Sequence, residues 1–245
     1  MARQARKKSI TGYLHVIVRG VGKQVLFERN EDYGYYLSLL EKYAEETGVI
    51  VCAYCLMENH VHLLVHDKGN ELTRFMKKIG TCYALYYNNK YDRTGHLFQD
   101  RFMSEPVETQ EYLLTVFRYI LNNPAKAGIC PASEYLWSSY RNYDSVGSFV
   151  DTTLLRQLIG DWEQYARFID AKNHDQCMEF MSHKKDDEWA KEVLRTTLDV
   201  ESGTEIQAYE KKRRNEALHK LKEAGLSCRQ IERLTGIGRS IIQRC

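Results

Sequence analysis

Two short stretches of this 245-residue chain hold side chains that can do chemistry together. His60-Val61-His62 sets two imidazoles at i and i+2. On a strand that spacing puts both on one face, about 7 Å apart at Cα, while Val61 points the other way and sets the register. Paired imidazoles suit a divalent metal, which then needs a third ligand from elsewhere. The same triplet also serves as two ordinary half-exposed histidines. The second stretch runs from Tyr112 to Pro124. Leu113, Val116, Phe117 and Ile120 follow one helical face, and Tyr119 and Asn123 lie four apart, off that stripe. A phenol one turn from a carboxamide could set a nucleophile beside a metal that the amide oxygen helps to bind, and hard oxygen suits Mg²⁺ or Mn²⁺. The plainer reading is a tyrosine at a helix edge and an Asn-Pro stop. Cys52 and Cys55 have a zinc-like spacing, but no second such pair exists, and residues three apart on a strand point to opposite faces.

The elements that must position these residues follow from period. Tyr13 to Val18 is apolar and β-rich, hence a strand. Asn30 can cap a helix whose first turn holds Glu31 and Asp32, and Gly48 ends it. Val49 to Met57 reads as a strand, Glu58-Asn59 as a turn, and the alternation of Val61, Leu63 and Val65 as the next strand. Leu72, Phe75, Met76, Ile79, Cys82, Tyr83 and Tyr86 mark a long amphipathic helix. A fourth strand is expected over Leu97 to Val107. The Tyr119 helix then stops at Pro124. The order β-α-β-β-α-β-α begins as a ferredoxin-like split βαβ pattern. The fold class is therefore α+β, an antiparallel sheet with helices on one face.

Charge divides the chain. The net formal charge of +2 splits into +2 over residues 1–150, −7 over 151–210 and +7 over 211–245. A basic end behind an acidic connector suggests a polyanion contact, although a solvated basic helix has the same composition. Within that end, Ser227 to Gln230 is a capping box, Thr235 to Gly238 a turn, and Arg239 to Arg244 the start of a further helix, a helix-turn-helix-like pattern. Its Arg229 and Arg239 are candidate contacts to duplex DNA; the alternative is a docked helical hairpin. Within the connector, Trp162, Tyr165, Phe168 and Ile169 suggest a small helical packing element. Seven cysteines at irregular spacing fit free thiols in a reducing cytoplasm. No run approaches a membrane span and no apolar segment follows the basic N-terminus, so neither an anchor nor a secretory signal is expected.

The motifs together resemble a known family. His60-Val61-His62, within Met57 to Val65, resembles the HUH signature of one-tyrosine transposases. Tyr119 to Gly128 resembles that family's tyrosine helix, and His15 to Gly20 and Gly95 to Phe102 resemble its strands. The similarity covers about residues 10–147 and is greatest to the REP-associated tyrosine transposases, which process palindromic hairpins. It implies a catalytic domain over 1–147, a connector over 148–210 and a DNA-binding tail over 211–245. It also implies that His60, His62 and Asn123 hold Mg²⁺ or Mn²⁺ and that Tyr119 attacks a phosphate to make a 5′-phosphotyrosine link. Insertion-sequence members carry Gln where this chain has Asn123. Arg19 and Arg101, expected at strand ends near the site, are candidate phosphate contacts; His15 is a neighbour that could orient the HUH histidines. The expected partner is a single-stranded DNA hairpin, with the protein a monomer or a homodimer. A phenol titrates near pH 10, so something must take its proton, and no residue stands out as that base. Two other readings remain open: a non-catalytic DNA-binding repressor, and a metal hydrolase that uses water.

Overall fold

The computed structural model describes residues 7–178 and 187–244. The chain forms two compact units, Met1–Phe180 and Met181–Cys245. The division falls inside the acidic stretch expected to be a connector, because the helices of that stretch join separate cores.

In the first unit, strands β1 (Tyr13–Arg19), β2 (Ile50–Met57), β3 (His60–His66) and β4 (Met103–Pro106) make a sheet of order β2-β3-β1-β4. All three neighbouring pairs are antiparallel. β3 sits between β1 and β2, the split βαβ arrangement. Helices α1 (Asn30–Thr47) and α2 (Leu72–Lys90) connect the strands. Val16, Val18, Leu63 and Val65 face them, in one core with Leu39, Leu40, Phe75, Ile79 and Tyr83. Burying each such side chain contributes roughly 1.5–3 kcal/mol. A one-residue slip of β3 would turn Val61, Leu63 and Val65 away from that core, so its register, and hence the facing of His60 and His62, is strongly held.

The other face of the sheet is covered as well. Helix α3 (Gln110–Leu121), the short α4 (Asn123–Lys126), α5 (Thr153–Ile159) and α6 (Trp162–Asp170) follow β4. Val116, Phe117, Ile120, Tyr165 and Ile169 form a second core with Ala53, Cys55 and Leu64. The aromatic and aliphatic residues of α6 thus do the packing expected of them. The Thr109 hydroxyl caps α3 by accepting from the Tyr112 amide. Pro124 lies in the first turn of α4, where its missing N–H costs nothing, so a new turn follows α3 directly.

Three local expectations are corrected. The α1 N-cap is Arg29 rather than Asn30, and Asp32, three residues on, reaches back to accept from the Glu28 and Arg29 amides at 2.9 Å. The fourth strand is shorter than Leu97 to Val107. Gly20 and Phe98 form an isolated bridge, and the Asp100 carboxylate takes the Arg101 amide at 2.7 Å, a local bond that competes with the ladder. Cys52 and Cys55 lie in the same core, because a register shift between Val51 and Ala53 changes the alternation. Both thiols are buried, and burial pushes their pKa values up, which makes them poor metal ligands.

The second unit contains α7 (Asp187–Leu198), a 3₁₀ turn over Gly203–Ala208, α8 (Lys211–Glu223), α9 (Cys228–Thr235) and α10 (Arg239–Arg244). Leu194, Ile206, Leu218, Leu221, Ile231 and Ile242 form its core. Ser227 and Gln230 make the expected capping box, and Gly236 closes α9 in the left-handed region at φ 71°. No helix among the described residues is long and apolar enough to cross a membrane.

Candidate active site on the sheet face

The site is built on the face of β1 and β3 opposite α1 and α2. His15, Ile17 and Arg19 alternate with the core residues of β1, and His60, His62 and Leu64 do so on β3. Register pairs Ile17 with His62 and Arg19 with His60. This brings His15 against His62, with Nε2 to Nδ1 at 3.1 Å and ring centroids 5.3 Å apart. The His60 and His62 rings meet edge to face at 5.0 Å. Tyr119, on the last full turn of α3, presents its ring edge-on to His62 at 5.8 Å and to His15 at 6.0 Å. The structure therefore gathers both HUH histidines and the tyrosine, although nearly sixty residues of sequence separate them.

Burial is deeper than helical spacing indicated. Tyr119 was expected off the core stripe, yet it is 3% exposed and belongs to the second core. The reason is that α3 packs on two sides, with the 119 side laid over the histidines of the sheet. Asn123 is also buried, and its Nδ2 donates to the Tyr119 and Ile120 carbonyls at 2.9 and 3.5 Å.

Burial also decides charge. His15 is fully buried and its pKa is lowered to about 3, because no water stabilises an imidazolium there. His62 is held well below its ordinary value, first by burial and then by the charges of His15, His60 and Lys126. Both rings are neutral near pH 7, so one N–H is shared between them. When His62 Nδ1 donates to His15 Nε2, His62 Nε2 keeps its lone pair. His60 Nδ1 donates likewise to the Asn59 side-chain oxygen at 2.7 Å, which leaves the Nε2 lone pair available. Ring nitrogens oriented through their other nitrogen are the usual state of metal-ligating histidines. Two such nitrogens with the Asn123 amide oxygen make a neutral donor set that fits a divalent ion of intermediate hardness such as Mn²⁺. No cluster of three His, Cys, Asp or Glu suited to a metal occurs among the described residues.

The remaining candidates are dispersed. Arg19 lies at the end of β1, opposite His60. Arg101 lies across the sheet instead, lining a cavity of about 780 Å³ with Val18, Met76, Lys77 and His96 on the α2 side. The position follows from the early end of β4, which leaves residues 99–102 free to turn toward α2. Lys78 and Arg74 pair with Glu46 at 2.7 and 3.3 Å, a solvated helix face. His66 stacks on Tyr13 at the far end of β3. In the second unit Arg229 is exposed on α9, and Arg239 is paired with Glu232 at 2.7 Å.

One residue escaped the sequence reading. Lys126 places its ammonium 4.0 Å from the centroid of the Tyr119 ring and donates to the Asp175 carbonyl at 2.9 Å. The signal was present: 119, 123 and 126 are spaced i, i+4, i+7, one helical stripe. Proline at 124 hid it by arguing for a helix stop.

Comparison with known proteins bears on this geometry. Residues 8–123 match the family described as Transposase IS200 like. That segment contains His15, His60, His62, Tyr119 and Asn123. Among solved structures, that of a REP-associated tyrosine transposase bound to a REP hairpin aligns with a TM-score of 0.49 at 15% identity, covering 62% of this chain and 96% of that one. A candidate transposase from Deinococcus radiodurans aligns with a TM-score of 0.35 at 19% identity, covering 49% and 97%. No curated protein matches. Residues 8–123, just under half of the chain, thus carry a likeness to the IS200-like transposases, on the split βαβ sheet and the helix that bears Tyr119.

Proposed function

We propose that the protein is a metal-dependent single-strand DNA endonuclease and strand transferase of the REP-associated type. In this reading Tyr119 is the nucleophile and His60, His62 and Asn123 hold Mg²⁺ or Mn²⁺. The observation that carries it is the packing of Tyr119 against His62 at 5.8 Å, beside His60, on a face the sheet register cannot turn away. A bound divalent ion supplies positive charge to a phosphate oxygen and to the leaving 3′ oxygen. Tyr119 Oη bonds to phosphorus as the bond from phosphorus to the 3′ oxygen breaks. The phenol loses its proton to solvent and the departing oxygen gains one, leaving a 3′-OH and a 5′-phosphotyrosine. One phosphodiester replaces another, so a 3′-OH can later reverse the step on a new strand without ATP.

Arg19, opposite His60, is the best placed strand residue for a phosphate. The exposed Arg229 and the α9-turn-α10 unit suit a duplex-DNA contact that positions the enzyme without chemistry. The expected substrate is a single-stranded hairpin with a flanking cleavage site. The test is incubation of labelled hairpin DNA with the protein and Mn²⁺. A covalent protein–DNA adduct is expected, and Tyr119→Phe abolishes it. A gel shift with no adduct would favour the repressor reading, and cleavage that survives Tyr119→Phe would favour a water-using hydrolase.

A further inference from the structure

We propose that Lys126 is a second catalytic residue, whose ammonium binds a non-bridging oxygen of the phosphate that Tyr119 attacks. The proposal rests on the reading of Tyr119 as nucleophile and adds to it a cation from the turn that follows. Three observations support it. The Lys126 Nζ lies 4.0 Å from the Tyr119 ring centroid, so the charge is at the phenol and not merely near it. The ammonium is held at its other side by the Asp175 carbonyl at 2.9 Å. That carbonyl is itself fixed, because Asp175 makes a two-pronged pair with Arg118 at 2.7 and 2.9 Å, one residue before Tyr119. An exposed lysine normally sweeps a wide volume; this one is anchored at both the Tyr119 ring and the Asp175 carbonyl.

The position matters chemically. The Lys126 ammonium puts positive charge of the protein's own beside the phenol. A scissile diester carries one negative charge, and the five-coordinate state reached when Oη adds to phosphorus carries more. A fixed cation gains most at that point, and is worth more there than in bound substrate. After the bond to the 3′ oxygen breaks, the phosphotyrosyl diester still bears an anionic oxygen next to Lys126. The same contact therefore serves the reverse step. Lys126 exchanges no proton in this scheme.

The test uses the full-length protein, Mn²⁺ and a labelled hairpin under single-turnover conditions. Lys126→Met is expected to slow adduct formation about 100-fold, the lower end of the range for removal of one charge-stabilising donor. Hairpin affinity, measured by anisotropy in the Tyr119→Phe background, is expected to change less than threefold. Lys126→Arg, which keeps the charge, is expected to recover most of the rate. A second substrate with a neutral methylphosphonate at the scissile position closes the cycle: without the anionic oxygen, Lys126→Met is expected to cost less than twofold. A Lys126→Met rate within twofold of wild type on the ordinary substrate would overturn the proposal. So would an equal loss on both substrates, which is the signature of a misplaced tyrosine rather than a lost ion contact. If the wild-type protein forms no adduct, the reading of Tyr119 falls first and the proposal with it.

Discussion

Asp32 offers a sharp quantitative test of the scaffold behind the site. Its side chain is fully buried at the α1 N-terminus. It accepts from Lys90 Nζ at 2.6 Å, Tyr91 Oη at 2.7 Å, Tyr86 Oη at 2.9 Å and the Glu28 and Arg29 amides at 2.9 Å. Asp32→Ala leaves two phenols, two amides and an ammonium to find new partners. Removing one member of a buried pair costs about 3–5 kcal/mol. Water reaches the lysine, which is 25% exposed, so the lower end applies, about 3 kcal/mol. For a unit of this size that is a fall in melting temperature of about 6–12 °C. The pH dependence has a definite sign. Burial alone would raise the Asp32 pKa, but the bonds from Lys90, Tyr91, the Arg29 amide and Tyr86 outweigh it and hold the pKa below the usual carboxylate value. The carboxylate's contribution is thus complete above the unfolded pKa of about 4 and is lost as pH falls through the lower folded pKa. Urea titration at pH 7 and 5 should show the same gap between wild type and Asp32→Ala, narrowing below pH 4. Asp32 lies across the sheet from Tyr119, so adduct formation at 20 °C should not change in the variant. A gap under 1 kcal/mol at pH 7, or one that widens toward low pH, would refute the reasoning.

Further outcomes follow from the site and from the second unit. Mn²⁺ at a hundred times its dissociation constant should stabilise the wild-type protein by about 2.7 kcal/mol in thermal-shift titration. His62→Ala should remove that response, and His15→Asn should weaken Mn²⁺ binding about 10- to 100-fold, because His15 fixes the ring of His62 at 3.1 Å. An unchanged Mn²⁺ response in His62→Ala would place the ion elsewhere. In the second unit, a Cβ on Gly203 would lie 2.4 Å from the Leu234 carbonyl oxygen. Gly203→Ala should cost about 1–3 kcal/mol, read as faster amide exchange across α8 to α10; unchanged exchange would show that the backbone there yields freely.

Much of this site could be read from one dimension. The i, i+2 imidazoles follow from strand alternation, and the four-residue step from Tyr119 to Asn123 follows from helical rise, because both depend only on backbone period. The split βαβ order and the Ser227 cap are likewise local patterns. The tertiary structure alone decided what those patterns face. It buried Tyr119, because α3 packs on two sides and no period reports a second contact. It swung Arg101 to the α2 side, because a local Asp100 bond competes with the fourth strand. It set Lys126 over the phenol through Asp175, 49 residues further along the chain. Side-chain period says which residues share a face; only packing between elements distant in sequence says what that face meets, and that is where the charge and burial of this site were set.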